Sequence, residues 1–165
     1  MDRIDHLLEQ WEKERPDLDA TPVGILGRLM ILNRLAEHGV VKVLQPHNLT
    51  IQEFDVLAIL RRCGPPFRRS VGVLCSYSLL SSGAMTNRVD RLEKKGLIRR
   101  EQNPEDRRGV LVALTSTGRA LIDKLVVERL QEAHERVSVL SSKQRRQLED
   151  LLTQFLAALH EKEDV

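Results

Sequence analysis

The stretch from residue 81 to residue 115 changes its hydrophobic period sharply, and this change limits the folds open to the chain. Met85, Val89 and Leu92 recur at helical spacing, and Gly96 is placed to end that helix with a positive φ. Beyond it, 97–101 and 110–114 read as strands. Between them lies a polar turn, Gln102-Asn103-Pro104-Glu105-Asp106-Arg107-Arg108-Gly109.

Upstream, Ile4, Leu7, Leu8 and Trp11 trace a short helix that Arg15-Pro16 ends. Thr21-Pro22 offers a cap followed by proline in the first turn of a second helix, with Gly39 a candidate interruption. Thr50 and Glu53 fit a capping box, and Gly64-Pro65-Pro66 stops the helix it opens. A brief helix over 70–77 and a turn at 78–81 follow, with Ser81 or Ser82 capping the next helix. After Thr115, Ala120, Leu121, Leu125, Val126 and Leu130 line one helix. Ser141 to Gln144 caps another, striped by Leu148, Leu152, Phe155 and Leu159.

The expected fold class is therefore mainly α with a small β-hairpin. It is a winged helix-turn-helix over 49–115, set between dimerisation helices at 1–48 and 116–165 of a single domain. The wing unit needs no such flanking helices to close its own core. Leu125, Leu148, Leu152, Phe155 and Leu159 are accordingly expected to bury against a second copy of the chain.

Charge supports a polyanion partner for the middle of the chain. Residues 61–108 hold twelve basic and five acidic side chains, while the rest of the chain sums to −5. Taking about 100° per helical residue with Met85 at zero, Val89 falls near 40° and Leu92 near 340°. On the same wheel Gly83, Asn87, Asp90, Arg91 and Lys94 lie opposite, between about 140° and 240°. This polar ridge carries no bulky apolar group and suits a major groove. Asn87 can pair with adenine, and Arg91 with guanine or phosphate. Ser81 and Ser82 can hold phosphate through hydroxyls and helix N-terminal amides.

The run from Leu80 to Ile98, containing Ser81-Ser82-Gly83-Ala84-Met85-Thr86-Asn87-Arg88-Val89-Asp90-Arg91-Leu92, resembles the recognition helix of the multiple-antibiotic-resistance regulator (MarR) family. Asp106-Arg107-Arg108-Gly109 through Thr115, with Gly118 following, is similar to that family's wing and its return to helix. The resemblance covers nearly the whole chain. It implies a dimeric regulator, most simply a repressor, on pseudo-palindromic double-stranded operator DNA. The residues assigned to DNA are Ser81, Ser82, Gly83, Thr86, Asn87, Arg91, Lys94, Arg107 and Arg108. In the resembling family the second arginine of Asp-x-Arg enters the minor groove, which maps to Arg108, with Asp106 orienting it. Arg68 and Arg69 are weaker candidates for phosphate contacts.

Asp55 lies within an apolar run, where a carboxylate is costly unless solvated or paired, and Arg62 returns to its helix face seven residues later. Arg88 flanks the buried stripe of its helix. Trp11, Asp55, Arg62 and Arg88 resemble the ligand set of the family's urate-responsive branch. That resemblance implies release from DNA by urate or a related aromatic anion. The alternative keeps Trp11 as core, Asp55 and Arg62 as a structural pair, and Arg88 on phosphate.

Other classes find less support. Cys63 and Cys75 have no redox or zinc spacing and suit core packing, although a redox-sensing regulator using either remains an alternative. A non-enzymatic winged-helix protein-interaction module is another. The five histidines make no recognisable metal motif, no phosphate loop is present, and no enzyme, metal or cofactor is expected. The chain shows neither a secretory signal nor a span of about 20 apolar residues, so a cytoplasmic protein is expected, with no membrane partner.

Overall fold

A computed structural model describes residues 1–78, 82–104 and 109–163. It contains helices α1 (Arg3–Glu14), α2 (Thr21–Leu44), α3 (Ile51–Arg62), α4 (Val71–Ser76), α5 (Ser82–Lys94), α6 (Ser116–Val137) and α7 (Ser142–Glu163). Three strands, β1 (Arg68–Ser70), β2 (Ile98–Gln102) and β3 (Val110–Leu114), complete it. The chain forms two compact units, 1–123 and 124–165.

Within the first unit, local chemistry sets the helix ends. Asp2 and Asp5 form a capping box on α1, and Arg28 of α2 pairs with both carboxylates. A Cβ on Gly27 would stand 2.7 Å from Ile4 Cδ1, so glycine lets α1 lie close to α2. The second helix begins at Thr21, and its opening amide is met by Asp19, whose Oδ1 accepts from Thr21 N at 3.0 Å and Thr21 Oγ1 at 2.6 Å. Thr21 is thus inside the helix it was expected to cap. Gly39 does not interrupt α2, which runs unbroken past it and buries it. The expected capping box at Thr50 and Glu53 opens α3, with Thr50 N donating to Glu53 Oε2 at 2.9 Å and Glu53 N donating to Thr50 Oγ1 at 3.2 Å.

The sheet has the order β1-β3-β2 and is antiparallel throughout. The hairpin pairs Ile98 with Leu114 and Gln102 with Val110, and Asn103 N donates to Gly109 O at 3.0 Å at its base. Sequence reasoning expected only this hairpin; β1 adds a third strand by pairing Arg68 with Ala113 and Ser70 with Leu111. Its entry is held by Phe67, whose φ is 57° and whose carbonyl accepts from Leu114 N at 3.1 Å. The Arg61 and Arg119 guanidiniums both lie over the Phe67 ring, 5.1 and 4.5 Å from its centroid.

The core of this unit is shared by α3, α4, α5, the sheet and the start of α6. Val56, Leu57, Leu60, Leu74, Val112 and Ile122 are fully buried. Each such side chain stabilises the fold by about 1.5–3 kcal/mol relative to exposure. Thr115 and Gly118 lock β3 into α6. Thr115 Oγ1 donates to Gly96 O at 2.8 Å, Gly118 N donates to Thr115 Oγ1 at 2.9 Å, and a Cβ on Gly118 would stand 1.9 Å from Leu97 O.

In the second unit, Ser141 and Gln144 make the expected capping box on α7, with Ser141 N donating at 2.9 Å and Gln144 N donating at 3.3 Å. Every apolar side chain of the α7 stripe is exposed, Leu151 at 64% and Phe155 at 36% among them, whereas Leu125 of α6, expected to bury against a second copy, is already fully buried within the single chain. Among the described residues, no helix is long and apolar enough to cross a membrane.

Candidate nucleic-acid interface

Helix α5 is amphipathic in the way its sequence requires. Met85, Val89 and Leu92 are completely buried, while Gly83, Thr86, Asn87, Arg91 and Lys94 are exposed. Its C-terminus closes with Gly96 at φ 69°, where Leu97 N donates to Leu92 O at 3.0 Å and Gly96 N to Glu93 O at 2.8 Å. The helix end is then tied to α3. Lys95 Nζ donates to Glu53 Oε2 at 2.8 Å and to Asn48 O at 2.6 Å, and Glu53 is only 1% exposed. Burial alone pushes the Glu53 carboxyl up. The Lys95 ammonium and the Thr50 amide outweigh it and hold the carboxyl below its ordinary value.

A second tie joins α5 to the hairpin. Arg100 on β2 donates through Nη2 to Asp90 Oδ1 at 2.5 Å and through Nη1 to Glu93, whose Oε1 also accepts from Arg100 N at 3.0 Å. These carboxylates hold the Arg100 guanidinium above its ordinary value, the Asp90 hydrogen bond contributing most. Asp90 was expected on the open ridge. It is instead half-buried beside Arg100, because the edge of β2 lies against that side of the helix.

Internal pairing thins the basic middle of the chain. Arg68 and Arg99 both reach Glu101, at 3.1 and 2.8 Å, and Arg61 pairs with Asp123. Arg69 donates to the Cys63 and Arg68 carbonyls at 3.0 and 2.7 Å. Arg68 and Arg69 are therefore occupied within the fold, against the expectation of phosphate contacts. Among the described residues, Arg62, Arg91 and Lys94 are exposed and make no ion pair. The cations turned outward on α5 are thus Arg91 and Lys94. Ser81, Asp106, Arg107 and Arg108 lie outside the described residues, as does the side chain of Ser82.

The residues of the expected ligand set are more dispersed. Asp55, within an apolar run of the sequence, avoids the cost of a buried carboxylate by being exposed, sharing a solvent-facing side of α3 with Gln52 and Arg62. Trp11 is 47% exposed on α1, in a hollow of about 540 Å³ lined by Leu7, Gln10, Lys13 and Glu14. That hollow holds none of the other three. Arg88 is half-buried on the flank of α5, and its buried Nε has no hydrogen-bond partner among the described residues. Cys63 and Cys75 are half-buried free thiols. Among the described residues, no group of three His, Cys, Asp or Glu side chains is placed to hold a metal ion.

The Arg100 and Lys95 ties escaped sequence reasoning. Each joins residues on different elements, ten and forty-two positions apart, and no periodicity marks such a pair.

Comparison with known proteins places this architecture. A model described as MarR family matches residues 47–109. The HTH-type transcriptional regulator PecS of Dickeya dadantii is 35% identical over 149 residues, covering 90% of this chain and 90% of that protein. A mutant MarR from E. coli complexed with operator DNA superimposes with a TM-score of 0.71 and 27% identity. It covers 88% of this chain and 97% of its own. Bordetella bronchiseptica BpsR, solved to explain regulation of its DNA binding by 6-hydroxynicotinic acid, has a TM-score of 0.68 and 26% identity, covering 81% of this chain and 91% of its own. The chain belongs to the MarR family of DNA-binding transcriptional regulators.

Proposed function

We propose that two copies of this chain form a repressor that seats α5 of each in successive major grooves of a pseudo-palindromic operator. The observation that carries this reading is the exposed ridge of α5, where Thr86, Asn87, Arg91 and Lys94 face away from the buried Met85, Val89 and Leu92. Asn87 reads adenine, Arg91 reads guanine or phosphate, and Lys94 contacts phosphate. Ser81 and Ser82 hold the backbone at the helix start. Arg107 and Arg108 belong to the segment between β2 and β3, which enters the adjacent minor groove. That the E. coli relative is complexed with operator DNA supports operator DNA as the partner. Half-sites about 34 Å apart follow from two-fold symmetry.

The exposed apolar stripe of α7 supports a second copy as its cover. Gel filtration and light scattering of the purified chain at micromolar concentration are expected to give the mass of two chains. A monomer there contradicts the dimer.

For the effector, the same proposal assigns Arg88, with Trp11, Asp55 and Arg62, to urate or a related aromatic anion. Support comes from the buried Arg88 Nε, which has no hydrogen-bond partner among the described residues, since an anion supplies an acceptor. The regulation of BpsR by 6-hydroxynicotinic acid is a parallel in a related fold. Ligand binding beside α5 tilts it out of register with the groove. Trp11 is the single tryptophan, so titrating urate while recording its fluorescence and operator release tests the assignment. Quenching together with release is expected; neither signal at millimolar urate defeats it.

A further inference from the structure

Glycine inside a helix weakens it unless space or backbone geometry demands it. Gly27 makes room for Ile4, Gly118 for the Leu97 carbonyl, and Gly96 holds a positive φ. Gly83 has no such reason. It is exposed at the second position of α5, its φ lies outside the left-handed range, and a Cβ placed on it meets nothing within 4 Å among the described residues. The fold would accept alanine there and gain helix propensity.

Gly83 lies opposite Met85, Val89 and Leu92, on the face it shares with Asn87 and Lys94. We infer that Gly83 is a specificity-determining residue whose missing side chain lets α5 seat deeply in the major groove. The inference rests on the assignment of α5 to DNA and extends it to a group that makes no hydrogen bond through a side chain. A methyl at this position holds the base edges away from the helix. The contacts of Asn87 then lengthen past the distance at which a hydrogen bond survives.

The test uses the full chain and a duplex selected from a random pool, with affinity read by fluorescence anisotropy at fixed salt and stability by thermal unfolding. Gly83→Ala is expected to unfold at the same or a higher temperature than the parent and to bind at least about tenfold more weakly. Gly83→Leu is expected to bind more weakly still. The salt dependence stays unchanged, because no cation is removed. Gly72→Ala, at an exposed and equally open glycine on α4, controls for helix propensity and is expected to keep parental affinity.

Three results overturn the inference: undiminished binding by Gly83→Ala, a lower unfolding temperature for it, or an equal loss in Gly72→Ala. A parent chain that binds no duplex overturns the DNA assignment and the inference together. A parent that binds, with Gly83→Ala binding equally well, overturns the inference alone.

Discussion

Glu53 and Gly118 show how much of this fold rests on single side chains. The Glu53 carboxylate is buried, and its Oε2 accepts from both Lys95 Nζ and the Thr50 amide. Replacing Lys95 by methionine leaves that carboxylate without its counter-charge. A loss of about 2–3 kcal/mol in urea unfolding at neutral pH is expected, reduced from a fully buried pair because Lys95 is partly exposed. The folded carboxyl is held below its ordinary value near 4.5, so the stability it contributes is present above that value. It drains away as pH falls through the folded value, and Glu53→Gln is expected to flatten this acid limb. Gly118→Ala drives a methyl into the Leu97 carbonyl, which is backbone and cannot step aside. A cost of about 3 kcal/mol is expected, and a thermal midpoint equal to the parent's contradicts the close packing.

Among elements, legibility followed locality. The capping boxes at Thr50 and Ser141 and the stop at Gly96 involve residues a few positions apart, so their chemistry is written in short strings. The strand β1 is three residues long and carries two arginines; its extended state comes from pairing with β3, which no local pattern encodes. The apolar run from Phe54 to Leu60 leaves open whether the Asp55 carboxylate is solvated or paired, and only the fold of α3 puts that face in water. The Arg100 tie decides how the hairpin sits against α5. Removing it in Arg100→Ala leaves Asp90 and Glu93 uncompensated beside the ridge proposed to face DNA. Operator affinity is expected to fall at least about tenfold, a 1.4 kcal/mol effect. Adding Asp90→Asn and Glu93→Gln is expected to restore part of it. No recovery in that triple variant would mean that Arg100 acts on DNA directly.

At the scale of the whole chain, a net charge of +2 says little about the partner, because six of the ten described cations in residues 61–108 are held by internal carboxylates and carbonyls. What α5 turns outward is a short array on one helix, repeated by two-fold symmetry in the proposed dimer. Such an array binds duplex DNA by displacing condensed counterions. The decisive measurement is the slope of log affinity against log salt for a selected duplex, taken for the parent chain and for Arg91→Ala and Lys94→Ala. A steep loss of affinity with salt is expected in the parent, and each phosphate contact removed should shallow the slope by about 0.9. A flat slope in the parent, or slopes in both variants indistinguishable from it, would contradict the assignment of α5 to DNA.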